Sequence, residues 1–158
     1  MLQFTRKNFH PLCDSLAASD PLLQRILAAY GYPAFWTRPN TYETLVLTIL
    51  EQQVSLASAY AAYQKLKEKL PSITPEAVLG LTDEELPRCY FSRQKIVYVR
   101  ELAHAILTKK INLEAFVKEE EDVVRRELKA VKGIGDWTVD IYLLHALQRT
   151  DVFPPGDL

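Results

Sequence analysis

The sequence is short of cysteine, of net charge and of long apolar runs, and each shortage removes a class of protein. Its two cysteines, Cys13 and Cys89, lie far apart, and neither sits in a Cys-x-x-Cys pair. A disulfide framework, a zinc site and an iron–sulfur cluster need more sulfurs, or closer ones. Two small reduced core residues in a cytosolic protein are the remaining reading. The first dozen residues carry Arg6 and Lys7 but lack the apolar core of a signal peptide. The longest apolar run, 45–50, is interrupted by Thr48 and is far too short to span a bilayer. A soluble cytoplasmic protein without membrane contact is expected. No segment reads as a strand, an internal repeat or a low-complexity tract.

Charge is nearly balanced, with 19 Lys and Arg against 20 Asp and Glu. A global positive field is therefore excluded. Any nucleic-acid contact must rest on a local basic patch or on backbone amides. At 158 residues, 48% of them hydrophobic, the chain can bury a core without staples, as one domain or two small lobes.

What is present is helical periodicity. Asp20-Pro21 reads as an N-cap followed by proline at the first helical position; Leu22, Leu23, Ile26, Leu27 and Tyr30 then share a face, and Gly31 stops the helix. Two prolines make 32–40 a loop. The stretch 41–51 is apolar on almost every side, which predicts a buried central helix broken at 52–55. An amphipathic helix is predicted over 55–70, and short helices after Thr74 and Thr82, the latter with a capping box to Glu85. Ser92 caps a longer helix whose stripe is Ile96, Val99, Leu102, Ala103, Ile106 and Leu107. Acidic residues at 119–122 open a helix that ends near Ala130. The expected fold is all-α, with many short helices.

The most informative stretch is 128–138, Leu-Lys-Ala-Val-Lys-Gly-Ile-Gly-Asp-Trp-Thr. One helix ends before it, and another begins near Asp136 with Val139, Leu143, Leu144 and Leu147 on its apolar side. Two glycines two apart make a tight turn that lets backbone approach something closely. The N–H groups opening the next helix form an anion site through unpaired donors and the helix dipole. A phosphate suits that site without a basic protein around it. Taken alone, Gly-x-Gly between helices is more often a plain connection.

The context adds to it. The run from Val131 to Thr138 resembles the signature of the helix-hairpin-helix (HhH-GPD) DNA glycosylases, closest to the bacterial DNA-3-methyladenine glycosylase II group, with Val139 at a position usually small. Further matches are Asp151-Val152-Phe153-Pro154-Pro155-Gly156-Asp157, Gln52-Gln53-Val54-Ser55 after a buried helix, and Ser92-Arg93-Gln94-Lys95 opening a helix. Together they cover about 36–158.

The resemblance implies one domain over 1–158, with a core helical lobe at 41–130, the hairpin at 128–148 and a catalytic loop at 151–158. It implies an enzyme of base-excision repair that flips an alkylated purine out of double-stranded DNA and hydrolyses its N-glycosidic bond. Asp157 is the expected catalytic carboxylate, stabilising positive charge on the sugar, although an aspartate there also suits a helix N-cap. Trp137 is expected to face the base pocket, where an indole stacks on and attracts a cationic base; a core role is its alternative. Trp36 either borders that pocket or joins the core. DNA contacts are expected from Gln52, Gln53, Ser55, Lys132, Gly133, Ile134, Gly135 and Thr138. Gln53 is expected to plug the gap left by the flipped base, with a polar helix end satisfying loop backbone as the alternative for both glutamines. No cofactor is required, but a structural Na⁺ or K⁺ is implied at the carbonyls of Lys129, Val131 and Gly133. Bifunctional relatives carry a lysine where Trp137 stands, so a monofunctional enzyme is expected. Members of the family continue past the aspartate with a helix it opens, so the fold is expected to be truncated at its C-terminal end. A monomer acting on nucleoid DNA in a bacterial cytoplasm completes the expectation. Three other readings stay open: a non-catalytic DNA-binding hairpin module, a glycosylase for another damaged base, and a helical protein-interaction domain.

Overall fold

The computed structural model describes residues 3–157. Among them are ten helices: α1 (Phe9–Ser19), α2 (Pro21–Tyr30), α3 (Tyr42–Glu51), α4 (Leu56–Lys69), α5 (Pro75–Leu79), α6 (Glu85–Arg88), α7 (Arg93–Leu107), α8 (Leu113–Phe116), α9 (Glu121–Lys129) and α10 (Asp136–His145). The described residues contain no sheet, only an isolated antiparallel bridge between Gln3 and Arg149. The all-α expectation holds. None of these helices is long and apolar enough to cross a membrane.

Several of these helices start where a short polar side chain takes an orphan amide. Asp20 accepts from Leu22 and Leu23, Thr41 from Thr44, Ser55 from Ser58, Thr74 from Ala77 and Ser92 from Lys95. The box at Thr82 forms by half. Glu85 accepts the Thr82 N–H at 2.8 Å, yet α6 begins only at Glu85 itself. Helix α1 is absent from the sequence expectation. Its Pro11 sits in the first turn, where no N–H is needed, but reads locally as a breaker.

Helix α3 is the central element, with Tyr42, Leu45, Val46, Ile49 and Leu50 all buried. It packs against α4, α7 and α10, and α10 also packs on α9. Buried hydroxyls tie these layers: Tyr42 donates to the Val99 carbonyl at 2.9 Å, and Tyr142 to Asn40 at 2.5 Å. Arg125 joins α9 to α10 through Asp140, at 2.6 Å. Helix α2 departs from expectation. Its apolar stripe packs only in part, against α1, and leaves Leu22, Ile26 and Tyr30 exposed. This arrangement brings the starts of α4, α7 and α10 to one side of the molecule.

Candidate nucleic-acid interface and active site

The two hairpin glycines do different work. Gly133 has φ +89°, a left-handed conformation that L side chains avoid, and a Cβ on it would lie 2.0 Å from Cγ of Tyr98. The Tyr98 ring, from α7, thus presses directly on the turn. Gly135 has an ordinary φ of −105°, and a Cβ there would meet nothing within 4 Å. Its bareness leaves room for a ligand rather than for the protein. Gly135 is also the N-cap of α10 and provides no side-chain cap, unlike Ser55 on α4 and Ser92 on α7. The amides of Gly135, Asp136, Trp137 and Thr138 are left without intrahelical partners.

Between α3 and α4 the chain turns through Gln52 and Gln53. Gln53 takes φ +55°, a strained value for a side chain this large. Gln52 directs its amide inward, donating from Nε2 to the Gly133 carbonyl and to Thr138 Oγ1, both at 2.9 Å. Lys95 donates to the Leu50 carbonyl at 2.7 Å, holding the end of α3 from α7, and burial lowers its ammonium pKa.

These pieces line one open cleft of about 870 Å³. The 52–55 turn, Ser92, Gln94, Lys95, Tyr98, the hairpin, Trp137 and Asp157 all border it. Trp137 donates from Nε1 to Asp157 Oδ1 at 3.0 Å, so indole and carboxylate meet across twenty residues of sequence. Three carboxylates face the cleft, and two of them are paired with a cation. Glu51 is held by both terminal guanidinium nitrogens of Arg38 at 2.8 Å, and Asp136 by Lys129 at 2.6 Å. Asp157 has no cation paired with it among the described residues. It is therefore the carboxylate free to face positive charge that develops on a ligand. Behind it, burial and then Arg38 push the His145 imidazole below its ordinary pKa, against Glu51 and Asp157.

The structure thus gathers Gln52, Gln53, Ser55, Gly133, Gly135, Trp137, Thr138 and Asp157 around one cavity. Other expected residues fall elsewhere. Trp36 is 74% exposed and does not line the cleft; its carbonyl accepts from Gln148. Lys132 borders a separate groove of about 350 Å³ behind the hairpin. The Ile134 side chain is buried and its N–H is spent on the Val131 carbonyl, so it offers nothing to a ligand. Thr138 is 2% exposed, with its hydroxyl engaged by Gln52. Of the carbonyls expected to hold a cation, that of Gly133 accepts from Gln52 and that of Val131 from Ile134. Among the described residues no cluster of His, Cys, Asp or Glu could hold a metal ion. Glu51, Tyr98 and Asp136 border the cleft but were not anticipated. The spacing from Gln94 and Lys95 does place Tyr98 on their face of α7.

The chain is similar to known proteins in both sequence and fold. Residues 46–158 match the family profile described as HhH-GPD superfamily base excision DNA repair protein. The chain is 28% identical to DNA-3-methyladenine glycosylase of Saccharomyces cerevisiae over 96% of its own length, and 33% identical to DNA-3-methyladenine glycosylase 1 of Schizosaccharomyces pombe over 86%. It spans only 57% and 61% of those two proteins. A crystal structure of a DNA-3-methyladenine glycosidase from Bacillus halodurans superposes with a TM-score of 0.82 at 29% identity, covering all of this chain and 73% of the other. The 3-methyladenine DNA glycosylase of S. pombe in complex with abasic DNA gives 0.82 at 27% identity, over 92% of this chain and 74% of that one.

Proposed function

Since the chain belongs to the HhH-GPD superfamily of base excision DNA repair proteins, we propose that it is a monofunctional DNA glycosylase releasing alkylated purines of the 3-methyladenine type from double-stranded DNA. The observation that carries this reading is the Trp137–Asp157 pair, set in the same cleft as the uncapped amides of α10. A phosphate beside the lesion binds the amides of Gly135 and the first turn of α10. Gln53 enters the stack as the nucleotide swings out, and the extruded base meets the face of Trp137. As the bond from C1′ to the purine nitrogen breaks, its electron pair leaves with the base. A base made cationic by alkylation departs neutral and needs no proton donor. Positive charge then builds on the sugar, and Asp157 lies on hand to stabilise it. Water adds to C1′ and loses a proton, which leaves free base and an abasic sugar. Trp137 cannot form a Schiff base, so the strand stays whole.

No step in this scheme passes through a metal. The Gly133 carbonyl accepts from Gln52 and the Val131 carbonyl from Ile134, which leaves each of them a second lone pair for a monovalent ion. A monomer acting on nucleoid DNA in a bacterial cytoplasm fits the same reading.

The test is release of bases from methylated duplex DNA, followed by alkali. Free 3-methyladenine and strand breaks that appear only after alkali are the expected result. Firm binding to abasic-site duplex with no release across a panel of lesions would favour the non-catalytic hairpin module instead.

Asp136 bears on affinity within this scheme. It is the first residue of α10, beside the proposed phosphate, and its carboxylate is paired with Lys129, with Arg125 a smaller, more distant influence. Asp136→Asn is therefore expected to tighten binding to abasic-site duplex by about 2- to 5-fold at low salt, fading as salt rises. Equilibrium binding by anisotropy at two salt concentrations reads this. Weaker binding in the variant would show instead that the Lys129–Asp136 bridge organises the hairpin.

A further inference from the structure

Resting on that reading, we propose that Gln52 is not a DNA contact but a positioning residue, locking the base-plugging turn to the phosphate-gripping hairpin so that the two act as one rigid jaw. A primary amide has two N–H donors, and both are spent inside the protein, on the Gly133 carbonyl and on Thr138 Oγ1 at 2.9 Å each. A phosphate accepts only from donors, so this side chain has none left to offer. Its two partners straddle Gly135, one before it in the turn and one after it in the first helical turn. The amide therefore spans the phosphate site from behind. The next residue, Gln53, stands in its left-handed conformation at the cleft. Plug and grip are thus one residue and two hydrogen bonds apart, although 81 residues of chain separate Gln52 from Gly133.

Extruding a nucleotide needs opposed forces. The phosphate must be held still while the plug takes the place of the base, and a plug that yields leaves the base stacked. Two further contacts brace the same assembly. Lys95 holds the Leu50 carbonyl just before the turn, and the Tyr98 ring backs Gly133. Both come from α7, so the turn and the hairpin share one support.

The test compares the full chain with Gln52→Met, which keeps side-chain length and removes both donors, and with Gln52→Lys, whose ammonium can donate to the same carbonyl and hydroxyl. Base release is measured from a lesion in duplex and from the same lesion in a bulge, where it is already unstacked. Extrusion is followed by fluorescence of 2-aminopurine at the target position, and binding by affinity for an abasic-site duplex across salt. For Gln52→Met, kcat on duplex is expected to fall about 10- to 100-fold, with most of the loss recovered on the bulge. Abasic-site affinity and its salt slope are expected to stay within about twofold of the parent, and Gln52→Lys to regain extrusion. A thermal melt confirms that each variant is folded. The proposal is overturned if Gln52→Met loses release and abasic-site binding by the same factor, which marks a direct DNA contact. It is equally overturned if duplex and bulge suffer alike, or if nothing changes. A parent chain that releases no alkylated base defeats the repair reading alone, because 2-aminopurine still reports extrusion.

Discussion

Asp157→Asn is expected to reduce release of alkylated bases by about 10²- to 10⁴-fold, while melting temperature and affinity for abasic-site duplex barely move. The side chain is exposed, and among the described residues its one hydrogen bond runs to Trp137 Nε1. Asparagine has nearly the same shape and keeps a carbonyl oxygen for the indole. The change therefore removes charge and little else. If the carboxylate stabilises an electron-poor sugar, that charge is the catalytic quantity, and its loss falls on kcat. Single-turnover release from methylated duplex measures the effect. A variant that retains activity within a few-fold of the parent would transfer the catalytic role to another group in the cleft, Glu51 first among them.

The hairpin glycines give the second large effect, and it separates folding from binding. Gly133→Ala is expected to destabilise the fold by roughly 2–5 kcal/mol, from positive-φ strain and from driving a methyl into the Tyr98 ring. Gly135→Ala is expected to change stability by less than about 1 kcal/mol, because its φ is ordinary and its surroundings are empty. Yet the methyl of Gly135→Ala occupies the space a phosphate needs, and affinity for abasic-site duplex should fall by about tenfold or more. Urea denaturation and equilibrium binding on the two variants decide the matter. Equal loss of binding without loss of stability in both would mean that Gly133, too, faces DNA.

Local chemistry made much of this visible in the sequence. The hairpin, its glycines and Trp137 lie in one short string, and the caps at Asp20 and Ser92 are set by neighbours three residues away or fewer. Asp157 was legible because its motif carries it, although its meeting with Trp137 is tertiary. What stayed hidden depends on which way a side chain turns once helices pack. Gln52 sits at a helix end and could face either solvent or protein, and only the approach of α10 decides that it faces inward. Trp36 is an aromatic in a proline-rich loop, which resembles a pocket wall in sequence but is laid on the outside. Lys132 follows the same logic: a lysine on a tight turn can fall on either side of it, and here it falls on the far side. The stripe on α2 obeys helical spacing, yet nothing in spacing says whether a neighbour will cover it.

If duplex DNA is the partner, as proposed, the uncapped start of α10 bears on how the protein travels along it. Its donors are uncharged, and the cationic Lys129 beside them is already taken by Asp136. Amides displace few condensed counterions from a duplex, whereas each neutralised phosphate contributes a slope of about −0.9 to log K against log salt. With net charge −1, the chain has little long-range pull toward undamaged helix. Attachment should therefore be brief and comparatively indifferent to ionic strength, leaving most encounters as short visits rather than extended one-dimensional diffusion.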